Sequence, residues 1–200
     1  MVKSVDSFIR CPWSESHPAQ RCYHDLEWGV PVYDDRKHFE FLILESAQAG
    51  LSWQTILLRR EAYRQAMADF DPEVLATWGP GDIEALMANP GLIRNRKKME
   101  SVPVNARAFL ALQRVHGSFS RFIWNFVDGL QIQNTWTSQK DIPAKTDLSE
   151  KLSRDLKAAG FVFLGPTTVY AHMQAAGLVN DHLTDCFRYA QVRDMARPFS

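Results

Sequence analysis

One stretch constrains this chain more than any other: Phe39 to Trp53, the most apolar helical run in the sequence, with Glu45 set inside it. Phe39, Leu42, Ile43 and Ser46 repeat at the i, i+3, i+4, i+7 spacing of one helix face. Asp34 or Asp35 is placed to cap that helix and Gly50 to end it. An acid in such a run has two uses: it bonds to nearby backbone amides, or it forms the polar floor of an otherwise aromatic pocket. Periodicity does not choose, and both uses stand open at this point.

The remaining sequence reads as more helices, punctuated by glycine and proline. Residues 1–33, with Pro12, Pro18, Gly29 and Pro31, predict an irregular segment with one short helical turn near 22–27. Ser52 caps a helix carrying Ile56, Leu57, Tyr63 and Met67. Asp71-Pro72 opens a short helix to about Trp78, and another runs from Asp82 to Ala88. An amphipathic stretch from about Ile93 to Val115 contains Pro103, expected to kink or reset it by removing an amide donor and crowding the preceding turn. Ser118 caps a helix through Val127, and 129–146 read as a loop. Asp147 starts a helix closed by Gly160, Thr167 to Ala176 forms the next, and a last helix begins near Asp181. No window alternates like a strand over more than about five residues, so the fold class is all-α, without repeat or linker.

Two hundred residues suffice for one substantial core or two small lobes. No apolar stretch approaches the roughly 20 residues of a membrane span. The N-terminal stretch Met1 to Phe8 has neither signal-peptide nor transit-peptide character, so a cytoplasmic protein without membrane attachment is expected. Twenty-three basic and twenty-three acidic residues cancel, so any nucleic-acid surface has to be local.

Four constellations carry chemistry. His182 and Cys186 stand at i and i+4 and so point from one helix face at the same spot, and Cys11 and His24 would complete a Cys2His2 set suited to Zn2+. Four protein ligands leave no open position, so such a site is structural; on spacing alone, plain burial of a cysteine near a histidine is the commoner arrangement. The turn Gly160 to Thr168, with Phe163, Gly165 and Thr167, has the form of a helix-hairpin-helix element offering backbone N–H groups to a phosphate, or of an ordinary αα-hairpin. Trp13, Tyr23, Trp28 and Trp53 with Glu45 suit a flat, cationic base, although aromatic residues are more often core. Arg94-Asn95-Arg96-Lys97-Lys98 is the densest basic run, available to phosphates or simply a solvated helix start.

Taken together these stretches resemble the 3-methyladenine DNA glycosylase I family from about Arg10 to Tyr189. The carriers are Arg10-Cys11-Pro12-Trp13, Tyr23 to Pro31, Gln48 to Trp53, Gly91-Leu92-Ile93-Arg94, Gly160-Phe161 with Phe163 and Gly165, and Met173 to His182. The resemblance implies an all-α helix-hairpin-helix glycosylase, a single unit over 1–200. Its N- and C-terminal segments would be joined by a structural Zn2+ on Cys11, His24, His182 and Cys186, around central helices at about 34–128. It implies Glu45 hydrogen-bonding the adenine edge, with a catalytic part, Trp53 stacking, and Tyr23, Trp13 and Trp28 lining the site. Gly160, Phe163, Gly165, Thr167 and Arg94 would contact DNA. The pattern departs at Gln20, where a family member has tyrosine. At Asn180 most helix-hairpin-helix glycosylases carry an aspartate, an acid this family lacks.

The expected activity is monofunctional: excision of 3-methyladenine from alkylated double-stranded DNA, with free 3-methyladenine as product ligand and the protein a monomer. The competing reading is a non-catalytic helix-hairpin-helix DNA-binding module, which shares the hairpin and basic run but lacks a damage-specific pocket.

Overall fold

Helix α2, Asp35–Gln48, is the element the others surround. Every residue from His38 to Ala47 is buried, so α2 is not the one-faced helix its spacing predicts: a helix apolar on all sides is stable only when covered on all sides. It packs against α3 (Trp53–Leu57), α7 (Arg96–His116), α8 (Phe119–Trp124) and α10 (Pro166–Ala175). The computed structural model describes residues 8–199; most of the N-terminal stretch read for a targeting signal, 1–7, lies outside the described residues. No helix among them is long and apolar enough to cross a membrane.

Local rules place most helix starts. Asp34 accepts from the Lys37 amide at 2.8 Å, Ser52 from Thr55 at 3.2 Å, Asp71 from Glu73 at 2.9 Å and Ser118 from Arg121 at 2.9 Å. These caps open α2, α3, α5 (Pro72–Ala76) and α8. The helix expected after Ser52 is two pieces, α3 and α4 (Arg60–Ala66), and α6 spans Pro80–Ala88. Pro103 does not interrupt α7, which runs as one 21-residue helix. The N-terminal segment is more regular than expected: Pro18 at the first helical position supports α1, Pro18–Leu26.

Two other expectations are corrected. The loop 129–146 and the segment after α10 pair as a short parallel ladder, β1 (Ile132–Gln133) with β2 (Val179–Asn180), too short to leave an alternation signature. The last helix does not begin near Asp181: α11 is Phe187–Met195, with Cys186 as its N-cap, so His182 and Cys186 do not share a helix face.

One buried polar pair joins α2 to α10. His38 Nε2–H donates to the Val32 carbonyl at 3.0 Å, which leaves His38 Nδ1 to accept from His172 Nε2–H at 3.2 Å. Burial pushes His38 down to about 4 and holds His172 well below the usual histidine range. Both are therefore neutral in the native state, whereas the unfolded chain binds their protons below about pH 6.5. Stability is expected to fall as the pH drops from 6.5 toward 4, with a slope from His38 of about 1.4 kcal/mol per pH unit. Urea midpoints of wild type and His38→Gln across that range read the difference; parallel curves would contradict it.

Candidate base pocket and metal centre

A cavity of ≈ 400 Å3 opens where α1, α2, α3 and α10 meet the 129–146 loop. The pocket residues expected from the sequence come together there: Trp13, Tyr23, Trp28, Trp53 and Glu45 all line it, and Gln20 completes one wall. The four rings form a continuous chain. Trp28 and Trp13 meet edge-on at 5.1 Å, Trp13 and Tyr23 lie 6.4 Å apart, and Tyr23 and Trp53 are tilted at 5.2 Å. The buried Trp53 Nε1–H has no protein partner among the described residues.

Helix α2 carries two buried glutamates that differ in their partners. Glu40 is 4% exposed but accepts from Lys37, Arg60 and Arg64. Burial pushes its carboxyl up, and the Arg60 and Lys37 contacts more than reverse this, so it stays ionised. Glu45 is 5% exposed and has no hydrogen-bond or ion-pair partner among the described residues. Burial alone pushes it up to about 8. A structural carboxylate is satisfied as Glu40 is; an unpaired one facing a cavity is poised for a ligand. Of the two uses left open by the sequence, bonding to nearby amides is not what the structure contains.

Beside the aromatic wall, Cys11, His24, His182 and Cys186 converge with all four donor atoms within 4.8 Å of one another. His182 Nδ1 lies 3.7 Å from both sulfurs, and His24 Nε2 lies 3.4 Å from the Cys186 sulfur. Metal–ligand bonds of Zn–S and Zn–N length imply tetrahedron edges of roughly 3.3–3.8 Å. The tautomers fit as well. His24 Nδ1–H donates to Asp25 at 2.8 Å and His182 Nε2–H to the Trp28 carbonyl at 3.0 Å, turning the other nitrogen of each ring inward. The donor set therefore fits a buried metal ion with no open position. His24 comes from α1, not from an irregular segment, and His182 and Cys186 from a loop. Convergence rests on the tertiary fold, not on the i, i+4 spacing.

Comparison with known proteins decides the family. The family model described as methyladenine glycosylase matches residues 13–189. The chain belongs to the methyladenine glycosylase family. It is similar to DNA-3-methyladenine glycosylase of Haemophilus influenzae, at 49% identity over 177 residues, 88% of this chain and 96% of the relative. A crystal structure of 3-methyladenine DNA glycosylase I superposes with a TM-score of 0.87 at 47% identity, covering 90% of this chain and 98% of that one. A second, of a single-residue variant in complex with 3-methyladenine, gives 0.87 at 41% identity, covering 89% and 96%.

Elsewhere in this methyladenine glycosylase family member the expected DNA contacts divide. Gly160 and Phe163 take positive φ (99° and 59°) in the turn between α9 (Asp147–Ala158) and α10. Asn105 of α7 clamps that turn, accepting from the Val162 amide at 2.8 Å and donating to its carbonyl at 3.1 Å. Phe163 and Gly165 are exposed there. Thr167 instead lines the cavity. In the basic run Arg94 is exposed, Arg96 pairs with Glu84 at 2.7 Å, and Lys98 is turned inward, donating to the carbonyls of Ala47 and Ala49 at the end of α2. Lys98 thus caps a helix C-terminus rather than offering charge to phosphate. Sequence reasoning missed this, and it also missed Tyr170, Gln174 and the 139–144 wall, which line the cavity.

Proposed function

We propose that the protein is a monofunctional DNA-3-methyladenine glycosylase, which takes the alkylated nucleotide out of duplex DNA and hydrolyses its N-glycosidic bond. The observation that carries this reading is Glu45: an unpartnered, buried carboxyl group on the wall of an aromatic cavity. Methylation at N3 places a positive charge on adenine within DNA. Such a base gains from the ring faces of Trp53 and its neighbours and from an ion pair with Glu45, strengthened where water is excluded. An unmodified, neutral base cannot repay the cost of ionising Glu45 in that setting, so charge itself is the discriminator. The same charge makes the base a good leaving group, so water can attack the developing oxocarbenium without a strong general acid.

Polar ties join the elements read as DNA-facing, which supports this reading. Lys98 joins the start of α7 to the α2–α3 corner, Asn105 joins α7 to the 160–165 turn, and the cavity opens between α2, α3 and α10. We read the α9–α10 unit as a helix-hairpin-helix that binds phosphate through Gly160, Phe163 and Gly165, with the exposed Arg94 adding charge. The exposed Leu51, Val162 and Phe163 supply apolar contact to bases or sugars. Zn2+ on Cys11, His24, His182 and Cys186 would be held structurally, fixing the chain ends of a single unit with two helical lobes; it supplies no water to the reaction. The protein would act as a cytoplasmic monomer. Chromatography of bases released from methylated duplex DNA tests the function: 3-methyladenine is expected in the supernatant. Retained DNA binding with no base release would favour the non-catalytic module.

A further inference from the structure

The run Met173 to His182 carries the family resemblance but, apart from its metal ligand, no role so far. Next to its last residue, Asp181 is 1% exposed and accepts four hydrogen bonds. One oxygen accepts from Asn134 Nδ2 at 2.6 Å and Trp136 Nε1 at 2.8 Å; the other accepts from Tyr170 Oη and Gln174 Nε2, both at 2.7 Å. Tyr170 and Gln174 line the cavity, and the Asn134–Trp136 segment leads into its 139–144 wall. Asp181 therefore stands directly behind the pocket.

A carboxylate offers no proton, so Gln174 must face it with nitrogen. This fixes an amide that would otherwise flip freely. The Gln174 side-chain oxygen is turned away from Asp181 and has no partner among the described residues. We propose that Gln174 is a specificity-determining residue of the pocket, its oxygen accepting a hydrogen bond from the exocyclic amino group of the purine, and that Asp181 is the positioning residue that holds the amide in this orientation. The proposal rests on the glycosylase reading and deepens it. Adenine presents an amino donor at its 6-position where guanine presents an oxygen, so a fixed acceptor favours the first and repels the second.

The test uses two free bases that present an amino donor and an oxo acceptor at that position, 3-methyladenine and 3-methylhypoxanthine, with equilibrium binding to the whole protein. Wild type should prefer 3-methyladenine. Gln174→Met should lower 3-methyladenine affinity about tenfold and should not weaken 3-methylhypoxanthine, which loses a repulsive contact, so the ratio collapses. Asp181→Asn should shift the ratio the same way by releasing the amide, whereas Tyr170→Phe, which removes a bond to the same oxygen without freeing Gln174, should preserve it. A merely structural role would weaken both ligands in parallel. An unchanged ratio in Gln174→Met overturns the specificity role, and an unchanged ratio in Asp181→Asn alone overturns the positioning role. If Asp181→Asn does not fold, Gln174→Met still decides, because it leaves Asp181 three donors. Failure of wild type to bind 3-methyladenine would overturn the glycosylase reading and this proposal together; binding without dependence on Gln174 overturns this proposal only.

Discussion

Glu45→Gln is expected to slow excision of 3-methyladenine by about 10²- to 10³-fold, the usual cost of removing one preorganised electrostatic contact from a transition state. Affinity for the free base should fall by roughly tenfold or more, as for loss of a hydrogen bond to a charged group. Affinity for undamaged duplex should stay within about twofold, because that binding is carried by phosphate contacts that Glu45 does not make. The three readouts separate the roles. A parallel loss in all of them would mean that Glu45 supports the fold rather than the pocket. Preserved excision would remove it from the site altogether. Glu40→Gln is the informative contrast: it weakens an ion-pair network in which half-buried Arg60 keeps only Glu27 as a charged partner, and should act on stability first, since Glu40 is engaged by Lys37, Arg60 and Arg64.

The same substitution carries a stability signature of opposite sign to that of His38. Glu45 is pushed from about 4.5 in the unfolded chain up to about 8 in the empty pocket. Its stabilising share is therefore fully present below pH 4.5 and is lost as the pH rises toward 8, at about 1.4 kcal/mol per unit. Glutamine does not titrate, so the ligand-free variant should be the more stable protein at pH 8, with the gap narrowing toward pH 5. Urea midpoints at the two pH values read this, and a gap that does not change with pH would contradict it. A site that is costly when empty is the expected companion of tight, charge-selective binding.

What was legible in the sequence followed from local chemistry. The caps at Asp34, Ser52, Asp71 and Ser118 and the Gly160 turn lie within a few residues of the groups they satisfy, so their types announce them. Lys98 was misread because its partners, Ala47 and Ala49, lie some fifty residues away; in sequence it is one cation among several. The i, i+4 spacing of His182 and Cys186 pointed to the right residues for a wrong reason, since the loop between β2 and α11 brings them together. Periodicity placed Glu45 on a helix, but its grouping with Tyr23 and Trp13 came from residue chemistry and the family resemblance, because their segment reaches it only through tertiary packing. Asp181 was similarly hidden: its four donors come from the preceding helix and from a segment more than forty residues away, and that gives a lone aspartate no signature.

Disrupting the Cys2His2 cluster should have the largest effect on the protein as a whole. Cys186→Ala removes one donor of four and leaves two inward nitrogens and one thiol, too few to hold a structural ion. Loss of a structural metal belongs among the few single changes that cost more than about 4 kcal/mol. For a chain of this length that corresponds to a Tm lower by roughly 10 °C. Wild type purified without added metal should carry one equivalent by elemental analysis, and the variant much less. The loss should also reach the pocket. Trp28 stacks edge-on against His182 at 4.6 Å and accepts its Nε2–H, while Trp13 packs on His24 at 5.5 Å. Two walls of the base site thus lean on the two histidine ligands, and 3-methyladenine affinity should fall even below the melting range of the variant. An unaltered melting curve, or a wild type free of metal at full stability, would show that the four residues are simply packed core, and the aromatic wall would then need no ion behind it.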